Sequence, residues 1–246
     1  MAQIEHFKEF EHSTCILCGG DLYTLPEPIV VRCDYCGKEG FTTHQCENEH
    51  YICDNCLSIP VNSFIKQVCL DYTGIDAIEL AIKIMNAPII RMHGAEHHFL
   101  TPAVMTTIVH NKTNEFPDMK KTLDQLDIKI QNEAPKQCSL VAGTCGAAIG
   151  SSIFLQMYLQ NKVPEQQIIE HSYFVKNESI RQIDEIGLSR CCKRDTYISL
   201  RVTSKFLNDN FNLGLNISEP KCTFSLRNKS CGREDCPFYN IGFSIA

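Results

Sequence analysis

Apolar residues recur at helical spacing over residues 75–85. Ile75, Ile78, Ile82 and Met85 share one face, and Glu79 and Lys83 pair one turn apart on the polar side. This predicts an amphipathic helix, ended at Ala87-Pro88 because the residue before a proline disfavours helical backbone. A further helix is predicted from about Thr101, with Pro102 in its first turn, where a missing N–H costs nothing. Another is predicted over 114–130, after Pro117. The longest apolar run, Gly146–Leu159, carries Ser151, Ser152 and Gln156 and is too short to span a bilayer, so it reads as a core helix. The last predicted helix opens at Asp195 or Thr196, either of which can cap it, and runs through Ile198 and Leu200 towards Phe206. Residues 1–60 show no such periodicity. The predicted class is mainly α: a small N-terminal zinc-binding finger over 1–60, followed by a helical domain over 61–246.

What replaces a core in the first sixty residues is a set of thiols. Cys15-x2-Cys18, Cys33-x2-Cys36, Cys46-x3-His50 and Cys53-x2-Cys56 make four ligand pairs, enough for two tetrahedral zinc ions. Gly19 and Gly37 each follow the second cysteine of a pair, where a tight turn needs a permissive residue. Two pairings are open. A sequential one joins Cys15, Cys18, Cys33 and Cys36, then Cys46, His50, Cys53 and Cys56; a cross-brace interleaves pair one with three and two with four. His44 is a substitute for His50. A segment this polar depends on metal for its fold, so its expected role is structural or for docking a partner.

Charge is uneven. Residues 1–60 carry three Lys/Arg against ten Asp/Glu, an unsuitable surface for phosphate backbones, so nucleic acid is not an expected partner. Residues 187–233 carry nine Lys/Arg against three Asp/Glu, a stretch suited to an anionic substrate or cofactor. Met1 to His12 is charged and polar, unlike a secretory leader, and no run spans a membrane, so a cytoplasmic location is expected. In a reducing compartment the fifteen cysteines read as metal ligands or catalytic thiols.

Two further constellations carry chemistry. His93-x-x-Glu96-His97, followed by His98, formally matches a zinc peptidase pattern, which needs both histidines on one helical turn; Pro88 and Gly94 weaken that helix. The alternative is an active-site loop in which His93, Glu96, His97 and His98 bind substrate or move protons. Downstream, Cys145 sits among small residues at a helix start, where free N–H groups favour negative charge. Cys191 and Cys192 are adjacent, so one is expected to bind metal while the other is buried, reactive or supporting. Lys193 and Arg194 favour thiolate and attract an anion. Cys222, Cys231 and Cys236-Pro237 follow, the last weakly like a ferredoxin ligand. Cys69 and Cys138 read as buried small hydrophobes.

These pieces, the finger ending "HYICDNC", then "MHGAEHHFLTPAV", "GTCGAAIG", "RCCKRDTY" and the closing "C…C…CP", occur in one order across nearly the whole chain. In this the chain resembles a domain of unknown function found in archaea and anaerobic bacteria, sometimes joined to radical-SAM or methyltransferase modules. The resemblance implies such a module as partner and no particular reaction. "GTCGAAIG" followed by "RCCKRDTYISL" is also similar to the cluster regions of iron–sulfur L-serine dehydratases and cysteine desulfidases. That similarity implies a [4Fe–4S] cluster held by Cys145, Cys191 or Cys192, and one or more of Cys222, Cys231 and Cys236, with one iron open as Lewis acid.

The expected function is accordingly an iron–sulfur lyase or desulfidase-like enzyme on a small anionic substrate. His93, Glu96 or His97 would move the proton, and Lys193 or Arg194 would fix a carboxylate. The alternatives are a non-enzymatic zinc metalloprotein serving a methyltransferase or radical-SAM partner, and a zinc peptidase.

Overall fold

The structure is a computed structural model that describes residues 15, 17, 18, 20–35, 37–52, 60–134 and 145–240. It is mainly helical, with a two-stranded antiparallel hairpin ahead of the helices. Strand β1 (Leu22–Arg32) pairs with β2 (Glu39–Cys46) in a register that sets Leu22 opposite Cys46, with an irregularity between Thr24 and Ile29. The β-branched run Ile29-Val30-Val31 suits an extended pleat, a signal the periodicity reading of the sequence passed over. Seven α-helices follow among the described residues: α1 (Val61–Asp71), α2 (Ala77–Met85), α3 (Glu96–Thr113), α4 (Met119–Glu133), α5 (Gly146–Leu159), α6 (Glu165–Glu185) and α7 (Cys192–Phe211). None is long and apolar enough to cross a membrane.

Helix α3 is the axis of the body, packed by α1, α2, α4, α5 and α7. It is buried nearly all round, from Glu96 to Val109. A helix in that position must satisfy its polar side chains internally. Thr101, Thr106 and Thr107 do so by donating to the carbonyls of His97, Pro102 and Ala103 four residues back. Ser199 and Thr203 repeat the device in α7.

Two helix starts differ from the sequence reading. The third helix begins at Glu96, so Pro102 lies inside it and has no N–H to give to the His98 carbonyl. That carbonyl faces Gly150 of α5, where an added Cβ would come within 2.5 Å. Glycine at that position lets α5 approach the proline-containing turn closely. The last helix begins at Cys192, not at Asp195 or Thr196, and Asp195 falls in its first turn. The first predicted helix is observed at Ala77–Met85, and the one predicted over 114–130 at Met119–Glu133, capped by Asp118. Helices α1 and α6 had not been singled out.

Asp76 ties the chain's later part to its earlier part. Its Oδ1 caps α2 by accepting from the N–H groups of Ile78 (2.9 Å) and Glu79 (3.1 Å) and also accepts from Ser218 Oγ (3.0 Å). Its Oδ2 accepts from Asn216 Nδ2 (2.8 Å), beside a parallel bridge between the two backbones. Asp76→Ala removes the cap and both tail contacts and is expected to destabilise the body by about 1–3 kcal/mol, read from the urea midpoint. Asp76→Asn, which keeps an acceptor, is expected to cost less.

Candidate metal centres

The hairpin brings the first site together. Cys46 ends β2 opposite the start of β1, beside the turn that carries Cys15 and Cys18, and His50 follows one turn on. The ligand atoms of Cys15, Cys18, Cys46 and His50 all lie within 4.8 Å of one another. Cys18 Sγ is 3.5 Å from Cys46 Sγ, and His50 Nδ1 is 3.9 and 3.8 Å from the sulfurs of Cys15 and Cys46. A tetrahedral ion with ~2.3 Å bonds to sulfur sets its ligands about 3.8 Å apart. Three cysteines and a histidine at these distances can hold a metal such as zinc.

The sulfurs are also prepared for negative charge. Gly20 N–H donates to Cys18 Sγ at 3.3 Å and Asn48 N–H to Cys46 Sγ at 3.4 Å, each two residues past its cysteine. Asn48 Nδ2 adds a second donor to Cys18 at 3.4 Å. Burial pushes the Cys15 thiol up to about 12, whereas at Cys18 the donors from Asn48 and Gly20 overcome burial and bring it down to about 6. A dication among them would let all three thiols ionise.

This set is pair one with pair three, as a cross-brace requires, so the sequential pairing does not hold for Cys15 and Cys18. His44 lies exposed on β2 against Thr42 and Thr43, away from the site. Cys33 is buried elsewhere in the finger. Its expected co-ligands Cys36, Cys53 and Cys56, like Cys138, lie outside the described residues, and a second zinc set is not assembled among those described.

A second group of cysteines lies at the start of α7. A small pocket there is lined by Cys191, Cys222, Cys231 and Cys236, with Tyr197 and Asn228 among them. Four thiols from the helix cap and the tail thus face one space. Phe224 N–H donates to Cys222 Sγ and Arg233 N–H to Cys231 Sγ, both at 3.4 Å and both two residues on. This is the local geometry of Cys18 and Cys46 in the finger. Tyr197 is completely buried, and its hydroxyl has no hydrogen-bond partner among the described residues. Burial, then the nearby thiols of Cys222, Cys191 and Cys236, hold its proton on. An unused O–H donor amid four sulfurs marks a place for an acceptor.

Cys191 and Cys192 part company at the helix start. Cys191 is the extended cap residue and lines the pocket. Cys192 is the first helical residue, receives Arg190 Nη2 at 3.6 Å, and is not among the pocket's lining residues. Its charge is felt by Cys145, which caps α5, by Asp195 and by His97. Neither Cys145 nor Cys192 is among the residues that line the pocket.

The remaining expected groups are largely taken up by the fold. Glu96 accepts from Arg91 N (2.8 Å), Nε (3.3 Å) and Nη2 (2.8 Å), and these bonds outweigh burial and hold its carboxyl below the usual range. Lys193 Nζ donates to the carbonyls of Ile90 and Arg91 and lies over the Phe224 ring; burial brings it down to about 7. Arg194 bonds Asp195 and the Ser189 carbonyl. His93 lies ahead of α3 and bonds Asn228, so it does not share a helical turn with His97 as a zinc peptidase requires. His97 is the exception. Its Nδ1 donates to the Gly94 carbonyl at 3.0 Å, and its buried Nε2 has no partner among the described residues. Burial, then Lys193, lowers its pKa to about 4, which keeps the ring neutral.

The two centres adjoin. Lys229, in the loop between Cys222 and Cys231, lies 3.8 Å from Glu47 beside the finger ligand Cys46. Arg227 of the same loop stacks on Phe224 and feels the charge of Cys18.

Residues 65–239, more than half of the chain, match a family of unknown function (DUF5714). The chain belongs to that family, and the match takes in the pocket cysteines but not the finger ligands. No curated protein and no solved structure matches the chain.

Proposed function

We propose that the chain is an iron–sulfur protein of the enzyme class, with a zinc-type finger and a [4Fe–4S] cluster held by Cys191, Cys222, Cys231 and Cys236. The observation that carries this reading is the four cysteines around one pocket with the unpartnered Tyr197 hydroxyl among them. Among the described residues only the finger set gathers three or more donor atoms within 4.8 Å; the tail thiols line a wider space instead. A polynuclear cluster suits that spacing better than one ion does, and four thiolates are its usual ligand set. Arg194 favours the thiolate of Cys191, and Arg227 feels the charge of Cys222, so the anion this basic stretch holds is first of all the cluster.

Four protein ligands leave no iron open to a leaving group. The arrangement therefore favours a cluster that exchanges electrons over the Lewis acid of a dehydratase or desulfidase, which would need one of the four thiols to let go. Chemistry on a small substrate would belong to the far side of the Cys191-Cys192 peptide, where His97 Nε2 is the group free to take a proton. A docking role for the finger is the second reading. Val30 and Phe41 face each other across the hairpin and are 64% and 76% exposed, a surface suited to a radical-SAM or methyltransferase module. A cytoplasmic, reducing location fits both.

The test is iron, sulfide and zinc per chain in protein purified without oxygen. About four irons with matching sulfide, and zinc besides, are expected. Zinc with no iron would overturn the cluster and leave the docking reading.

A further inference from the structure

One side chain at the cysteine pocket is neither thiol nor cation. Asn228 is buried and follows directly on the short turn Ser225–Arg227. The Ser230 N–H lies 3.0 Å from its Oδ1. A backbone N–H can only donate, so this contact fixes which end of the carboxamide is oxygen. His93 Nε2 is 3.3 Å from the same oxygen and must therefore carry a hydrogen. With its oxygen engaged twice, the amide turns its NH2 to Cys191 Sγ, 3.7 Å away.

We infer that Asn228 tunes the reduction potential of the four-thiolate centre, and that His93 is the positioning residue that holds it in place. This rests on the iron–sulfur reading. When the cluster takes one electron from a low-potential one-electron donor, the added charge spreads onto its thiolates. A donor on a thiolate stabilises the reduced form more than the oxidised form and so raises the potential. Cys222 and Cys231 receive backbone N–H groups, which nearly any sequence supplies. At Cys191 a side-chain donor, which substitution can remove, joins the Arg194 backbone N–H. The loop that carries His93 thereby touches the cluster's electronics without touching the cluster.

The experiment is a dithionite titration of the anaerobically purified full chain, followed by electron paramagnetic resonance, with iron counted in each sample. Asn228→Leu is expected to keep its iron and to reduce at a lower potential. Asn228→Asp, which loses the donor and adds charge, should reduce lower still. His93→Phe is expected to shift the same way, and His93→Gln, which can still donate to Asn228, to return towards wild type. A role in folding alone would reduce iron content and leave the potential of the remaining cluster unmoved. Asn228→Leu with full iron at the wild-type potential overturns the inference. If that variant loses its cluster, the His93 pair decides, and equal potentials for Phe, Gln and wild type overturn it. A wild-type chain without iron removes both this inference and the proposed function; iron with an unmoved potential removes this inference alone.

Discussion

Cys191→Ala is expected to strip the iron from the chain and leave the finger's zinc in place, while its neighbour Cys192→Ala keeps both. Iron per chain should fall from about four to below one in the first variant and stay near four in the second. The contrast follows from one backbone feature. Cys191 has extended dihedrals as the cap of α7, which turns its sulfur towards Cys222, Cys231 and Cys236. Cys192 has entered the helix, and its sulfur accepts from Arg190. Cys222→Ala and Cys236→Ala should behave as Cys191→Ala does. Elemental analysis and the visible spectrum read the outcome. Iron retained in Cys191→Ala but lost in Cys192→Ala would reverse the ligand assignment.

The second large effect is at the finger. Cys46→Ala is expected to release the metal held with Cys15, Cys18 and His50 and to melt the hairpin, leaving the helices folded. The apolar cluster under the hairpin consists of Cys15, Leu17, Cys18 and Cys46, with Leu22 and Ile52 against it. Three of its six members are ligands, so little core remains without metal. Structural zinc contributes about 10–16 kcal/mol to small fingers of this kind, far more than six partly apolar side chains can replace. Hydrogen exchange should show Leu22–Arg32 unprotected in Cys46→Ala, with α3 and α5 as slow as in wild type. His44→Ala serves as the control and should change neither zinc content nor exchange. Hairpin amides that stay protected in zinc-free protein would show that the finger supports itself.

Much of this arrangement was written in local spacing. The C-x2-C pairs announced the finger, and the mainly helical class followed from periods such as that of Ile78, Ile82 and Met85. The pairing was not legible, because every C-x2-C pair looks alike in one dimension. Only the register that sets Leu22 against Cys46 decides which pairs meet. The hairpin itself was missed although Ile29-Val30-Val31 signalled it. Pro102 misled because a proline usually marks a first turn; in α3 Gly150 of the adjoining helix makes room for the unusual backbone. The tail cysteines were recognised as a group with Cys145 and Cys192 included. Separating them needed the direction in which a side chain leaves a helix cap, which spacing does not record. Lys193 and Arg194 read as substrate ligands because charge near a thiol suggests it; both are buried, Lys193 on the carbonyls of Ile90 and Arg91 and Arg194 on Asp195 at the pocket's lining.

The tail strap also sets an order of assembly. Three of the four pocket thiols lie C-terminal to all seven helices described, beyond the anchor of Asn216 on Asp76. On the ribosome, where chains fold from the N-terminus onwards, the helical body can form before those thiols emerge. Until then Cys191 waits alone at the start of α7. A cluster of the proposed kind would thus be made after the helical body, added to a finished scaffold. On that proposal a cell short of iron would accumulate a folded body with an open tail segment, a form that a delivery system could load without unfolding it.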